Sequence, residues 1–145
     1  IFSMVLGASE GLCNSNVTKE IREKNYLNTA AALLQQSIIE MGTFTEKLRG
    51  KKETVIGLAG IGDLYVSDKG GRNSKMGQYL GQGMTFKEAK KTKMPEDTIE
   101  GADLVLEVGS KVKSDFDIKQ LPLMISIIDT ICDDKPLTVK WKYFK

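Results

Sequence analysis

The densest chemistry in this 145-residue chain lies where Gly57-Leu-Ala-Gly-Ile-Gly-Asp-Leu-Tyr-Val-Ser67 runs into Asp68-Lys-Gly-Gly-Arg-Asn73. Two glycines, then an arginine and an asparagine at a predicted helix start, combine unpaired N–H groups, a planar guanidinium fork and a carboxamide. Those are the parts of a small anion site, with a guanidinium fork that matches phosphate. Gly70 and Gly71 permit a positive-φ turn whose amides converge, and Ser67 could add a hydroxyl. Lys69 and Lys75 contribute field or simply solvation. The plainer alternative is a flexible basic turn with Asn73 as an ordinary N-cap.

Asp63 stands among Ile61, Leu64 and Val66. An aspartate so flanked is expected to be at least partly enclosed, and an enclosed carboxylate needs a cationic or hydrogen-bonding partner. Helix cap, structural ion pair and site residue all stay open for it. Gly57, Gly60 and Gly62 spell GxxGxG, with the spacings of the dinucleotide fingerprint reversed and no βαβ pattern around them. Close helix packing accounts for those glycines equally well.

The chain has no histidine, which removes His-based triads and His-ligated metal sites, so a general base must be Lys, Asp, Glu, Tyr or Cys. Cys13 and Cys132 are far apart without a CxxC partner, and are expected to be reduced packing thiols. A net charge of +2, 41% apolar and 28% charged residues describe an ordinary globular protein with a real core. The basic cluster Lys87, Lys90, Lys91 and Lys93 is too weak to argue for nucleic acid. No apolar run is long enough to span a bilayer and no signal peptide opens the chain, so a cytoplasmic protein without membrane contact is expected.

The elements that must position these residues read as helices. Leu27, Ala31, Leu34, Ile38, Met41 and Leu48 predict one long helix from Leu27 to Arg49 with an apolar face, stopped at Gly50. Thr85-Phe-Lys-Glu88 matches a capping box opening a short helix to about Lys91. Ile99, Ala102, Val105, Leu106, Gly109 and Val112 mark another helix. Leu123, Met124, Ile127, Ile128 and Ile131 mark one beginning near Pro122. Asn14 to Asn25 is polar, a loop or a short solvated helix, and only Leu137 to Phe144 hints at alternation. The fold expected is all-α: a single helical domain over residues 1–145 with one contiguous core.

Taken together, Gly-Leu-Ala-Gly-Ile-Gly-Asp-Leu, Gly-Gly-Arg-Asn, Leu80-Gly-Gln-Gly83 and Ile99-Glu-Gly101 resemble the C-terminal domain of NAD-dependent glycerol-3-phosphate dehydrogenase in order and approximate distance. Asn28-Thr29 leading into Ala31-Ala-Leu, Ile39-Glu-Met41, and Leu121-Pro-Leu-Met extend the resemblance from the first residue to about Asp134. It implies a helical substrate domain whose Rossmann partner, absent here, holds NAD, with NADP open. The reaction implied interconverts glycerol 3-phosphate and dihydroxyacetone phosphate, with a lysine moving the hydroxyl proton. The family's Leu-Lys-Asn precedes a helix like Ile1-Phe-Ser-Met-Val-Leu-Gly7, so the chain is expected to be a fragment beginning just after that lysine and inactive alone.

By the same resemblance Asp63 falls beside the lysine and the reacting hydroxyl. Arg72 and Asn73 fall on the phosphate-binding pair, with Gly71 and Ser67 beside them. Arg72, Thr98 and Glu100 fall on cofactor-contacting positions, although Thr98 stands where many relatives have Val. The implied partners are a phosphorylated triose and the missing Rossmann half, with a homodimer left open. Departures are the longer segment between Leu12 and Asn28, Gln35-Gln36 in place of Thr-Arg, and an unmatched Trp141-Lys-Tyr-Phe-Lys145. Three rivals remain: a helical interaction or oligomerisation module, a nucleic-acid-binding helical domain, and the helical half of another Rossmann-plus-helical dehydrogenase.

Overall fold

The computed structural model describes residues 1–12 and 19–145, and among them every regular element is helical. In chain order these are α1 (Phe2–Gly7), α2 (Ser9–Leu12), α3 (Lys19–Lys47), α4 (Lys52–Val55), a π-helical turn (Leu58–Gly62), α5 (Asp63–Gly70), α6 (Arg72–Gly81), α7 (Phe86–Thr92), α8 (Glu100–Asp115), α9 (Pro122–Cys132) and a 3₁₀ turn (Trp141–Tyr143). The all-α expectation holds. Cys13 and residues 14–18 of the polar segment lie outside the described residues, whereas residues 19–25 belong to α3.

The innermost helix is α9, in which Pro122 through Ile128 are all buried. A helix apolar all round can only be a core helix, and α8, α1, α3 and α7 pack around it. Pro122 occupies its first turn, where a missing N–H costs nothing. Its N-cap, Leu121, offers no side-chain acceptor. The acceptor comes instead from α3: Glu40 takes the N–H of Leu123 at 2.7 Å and of Met124 at 2.8 Å, and also the side-chain amide of Gln36 at 3.1 Å.

This changes the face assigned to α3. Leu27 and Leu48 are exposed, at 57% and 67%, while Leu33, Gln36, Ser37 and Glu40 point inward. A polar stripe is buried because the start of α9 requires an acceptor there. The helix also stops one residue differently: Arg49, with φ 62°, takes the left-handed position expected of Gly50. Bonds from Arg49 N–H to Glu46 and from Gly50 N–H to Thr45 complete the Schellman pattern.

The short helices α1 and α2 lie along α6 on a seam of glycines. A Cβ on Gly77 would sit inside the Met4 carbonyl, and one on Gly7 inside that of Ser74. Backbones this close exclude any larger residue. Thr85 caps α7 by accepting the Glu88 N–H at 3.3 Å. The closing segment forms no strand: Leu137 and Val139 are buried, and the backbone of Lys145 is bound by Gln35 and Gln36, joining two departures from the family pattern.

Candidate functional site

The Gly57 to Asn73 stretch becomes a π-helical turn, then α5, then α6, with one residue between the two helices. Asp63 is the first residue of α5 and Ser67 follows one turn later, so the two share a face. Leu64, on an adjacent face, is the residue of α5 that enters the core. Arg72 and Asn73 open α6 at the far end of α5, a rise of about 10 Å from Asp63.

Asp63 is exposed, contrary to the enclosure expected from its neighbours, and among the described residues its carboxylate makes no hydrogen bond or salt bridge. The reason lies in those neighbours: Val66 is 71% exposed and Leu58, in the preceding turn, 88%. Their apolar character marks an open face. With Ala59 and Gly62 they frame a shallow depression of about 350 Å³ around the carboxylate. Asp63 opens α5, which packs against α1, and it lies within electrostatic reach of the start of α1.

Gly70 and Gly71 do not make the positive-φ turn. Gly71 is extended, with φ −75° and ψ 150°, and serves as the N-cap of α6. What its position requires is space, because a Cβ there would stand 2.5 Å from the Ser67 carbonyl oxygen, which accepts the Gly71 N–H. A glycine N-cap has no side-chain acceptor. The N–H groups of Arg72, Asn73 and Ser74 therefore lack both an intrahelical partner and a cap, and the helix dipole adds partial positive charge at the same point.

Asn73 is not the N-cap of its own helix. Its side-chain oxygen accepts the backbone N–H of Gly101 at 2.9 Å, so it caps α8, whose own N-cap Ile99 has no acceptor. That bond fixes which way the amide faces, leaving the NH₂ end as the part that can serve a ligand. An NH₂ group serves acceptors, and phosphate is one.

Arg72 donates through Nη2 to Glu100, the first residue of α8, and both side chains are about half exposed. The guanidinium keeps its other donors for a second acceptor. Thr98 lies in the lead into α8 and is exposed. Thus Arg72, Asn73, Glu100 and Gly101 form one cluster joining the starts of α6 and α8. Asp63 and Ser67 lie along α5 rather than within it. In the sequence Gly101 stands out only within Ile99-Glu-Gly101; the signal for its role is an apolar N-cap with a glycine two residues on.

A second cleft, of about 480 Å³, lies on the other side of α5, and none of the expected residues lines it. Asp68 lies there, but Ser74 donates to it at 3.5 Å and Lys69 pairs with it at 3.7 Å, so its charge is matched locally. Among the described residues no group of His, Cys, Asp and Glu could hold a metal ion, and no helix is long and apolar enough to cross a membrane. Cys132 is a free thiol, exposed at the end of α9 rather than packed in the core.

With this geometry, residues 3–140 match a family described as NAD-dependent glycerol-3-phosphate dehydrogenase C-terminus. The chain is 36% identical over 112 residues to glycerol-3-phosphate dehydrogenase (NAD(P)+) of Agathobacter rectalis, covering 75% of this chain and 32% of that protein. It is 37% identical over 94 residues to the enzyme of the same name from Coxiella burnetii strain CbuK_Q154, covering 63% and 25%. It is 33% identical over 93 residues to an NADP(+)-dependent glycerol-3-phosphate dehydrogenase of Archaeoglobus fulgidus, covering 61% and 28%. The chain thus spans about a third or less of these curated relatives. It belongs to the family of NAD-dependent glycerol-3-phosphate dehydrogenase C-terminal domains.

Proposed function

We propose that this chain is the substrate-binding half of an oxidoreductase that interconverts sn-glycerol 3-phosphate and dihydroxyacetone phosphate with NAD or NADP. The observation that carries the reading is the start of α6: amides without a cap, an arginine with donors to spare, and an asparagine turned so that its NH₂ is the free end. Phosphate binds there through the Arg72 guanidinium, the Asn73 amide and the N–H groups of α6, with Gly71 allowing close approach and Ser67 adding a hydroxyl.

The carbinol end of the substrate then lies back along α5 toward Asp63. α1 packs against α5, and its start lies within electrostatic reach of Asp63, so a lysine on the segment leading into α1 can approach this carboxylate. Asp63 orients that lysine, whose neutral amine takes the hydroxyl proton as substrate is oxidised and whose ammonium returns it on reduction. The dinucleotide is held mainly by a Rossmann half encoded upstream; the exposed Thr98 and Glu100 suit one edge of its site, with Arg72 adjoining. Bound there, the nicotinamide supplies hydride acceptance and donation at the carbinol carbon. The exposed apolar collar of Leu58 and Val66 around Asp63 suits the closure of that half and the exclusion of water. The same reading puts the enzyme in the cytoplasm, leaves a homodimer as an open assembly, and makes residues 1–145 one helical domain that does not turn over alone.

The test is Arg72→Ala in the intact protein. Loss of charge-assisted contacts to phosphate should raise KM for glycerol 3-phosphate roughly 10- to 100-fold. Steady-state kinetics indistinguishable from wild type would remove Arg72 from the site and with it this reading.

A further inference from the structure

We propose that Gly101 is a positioning residue for the phosphate site, aiming the Asn73 amide at the ligand through its backbone N–H and through the side chain it lacks. The inference rests on the phosphate reading above and adds a residue to it. Gly101 is buried as the second residue of α8, and its N–H donates to Asn73 Oδ1 at 2.9 Å. A Cβ at this position would lie 2.5 Å from that same oxygen, 3.1 Å from Asn73 Cγ and 2.8 Å from Met4 Cε. Only glycine therefore leaves room for the carboxamide to reach the N–H.

The consequence is directional. Asn73 has one acceptor and one donor end, and in solution the amide can present either. With the oxygen held by Gly101, the NH₂ is what a ligand meets, and an anion is then favoured over a cation. Any side chain at residue 101 pushes the carboxamide aside and releases this orientation, while Arg72 and the α6 amides stay where they are. Both groups that an alanine would displace are the far ends of flexible side chains, so the substitution disturbs the amide more than the fold.

The experiment uses the intact protein and two probes, glycerol 3-phosphate as substrate and inorganic phosphate as competing anion. Gly101→Ala should raise KM for the substrate and the inhibition constant of inorganic phosphate together, each roughly 5- to 20-fold, with kcat changing far less and the melting temperature nearly held. Met4→Leu/Gly101→Ala, which shortens the second obstacle and restores a foldable neighbourhood, should keep the same loss. Phosphate affinity unchanged in these variants, while Arg72→Ala weakens it, overturns the role of Gly101 and leaves the phosphate site standing. Affinity unchanged in Arg72→Ala as well overturns the phosphate reading itself. A parallel fall of kcat, KM effects and stability would make Gly101 a packing residue and also overturn the proposal. Amide exchange adds a check independent of turnover: the Gly101 N–H should exchange faster in Asn73→Ala, and an unchanged rate contradicts the bond.

Discussion

Asn73 does two things with the two ends of one side chain, and substitution can separate them. Its oxygen caps α8 through Gly101, and its NH₂ is the end assigned to phosphate. Asn73→Asp keeps an acceptor for the Gly101 N–H and adds negative charge at a helix N-terminus, where charge of that sign is favourable. It also removes the donor and sets an anion against an anion. The melting temperature should therefore hold or rise slightly while KM for glycerol 3-phosphate rises by about 100-fold or more. Asn73→Ala loses both ends and should cost about 1 kcal/mol of stability besides. Thermal melts and steady-state kinetics on the pair check this, and equal kinetics in Asp and wild type would exclude the donor role. At this scale residue type alone singles out Arg72 and Asn73, which the fold brings together with Glu100 and Gly101. The sequence misled at Asp63, because apolar neighbours in sequence do not say whether they face a core or an unpartnered surface; only Leu64 turns inward.

Among the elements, three helices of ten or more residues begin on residues that cannot cap them: Gly71 before α6, Ile99 before α8 and Leu121 before α9. Two are capped from elsewhere, α8 by Asn73 and α9 by Glu40. The third is left open, and it is the one assigned to phosphate. For α3, α8 and α9 helix existence was readable from apolar periodicity, but these long-range caps were not, since Asn73 and Gly101 are 28 residues apart. Periodicity does not say that Glu40, between Ile39 and Met41, turns inward, and only a partnerless start to α9 hints at it. Glu40 is wholly buried, and desolvation raises its pKa from 4.5 to about 7 against the opposing bonds from Met124, Leu123 and Gln36. A folded-state value above the unfolded one means that the stability tied to the protonated carboxyl is fully present below about 4.5 and lost as pH rises through about 7. Glu40→Gln cannot titrate and sets an NH₂ against one of the two backbone donors. The stability advantage of wild type over Glu40→Gln should then be larger at pH 5 than at pH 8, by on the order of 3 kcal/mol at most. Urea unfolding of both proteins at the two pH values measures it, and a difference independent of pH would mean that Glu40 does not titrate in this window.

At the scale of the whole molecule, the glycine seam holds α1 against α6 and α5 packs against both, so the starts of α1, α5 and α6 belong to one packed frame. That frame presents Leu58 and Val66 to solvent at 88% and 71% exposure, an apolar collar around the acid at the start of α5. Nothing in the helical domain needs these side chains: a residue as exposed as Leu58 contributes within about 0.5 kcal/mol to folding. If the dinucleotide-binding half closes on the collar, the same residue matters to catalysis, because closure removes water from the carbinol and strengthens the field of Asp63 on the base. Leu58→Ser should therefore leave the melting temperature of this chain within about 2 °C of wild type. In the intact enzyme it should lower kcat/KM for glycerol 3-phosphate roughly tenfold. The two readings must diverge for the collar to be a closure surface. An enzyme with unaltered kcat/KM would make it ordinary exposed apolar surface, and a matching loss of stability in the isolated chain would make Leu58 a folding residue whose neighbours bury it.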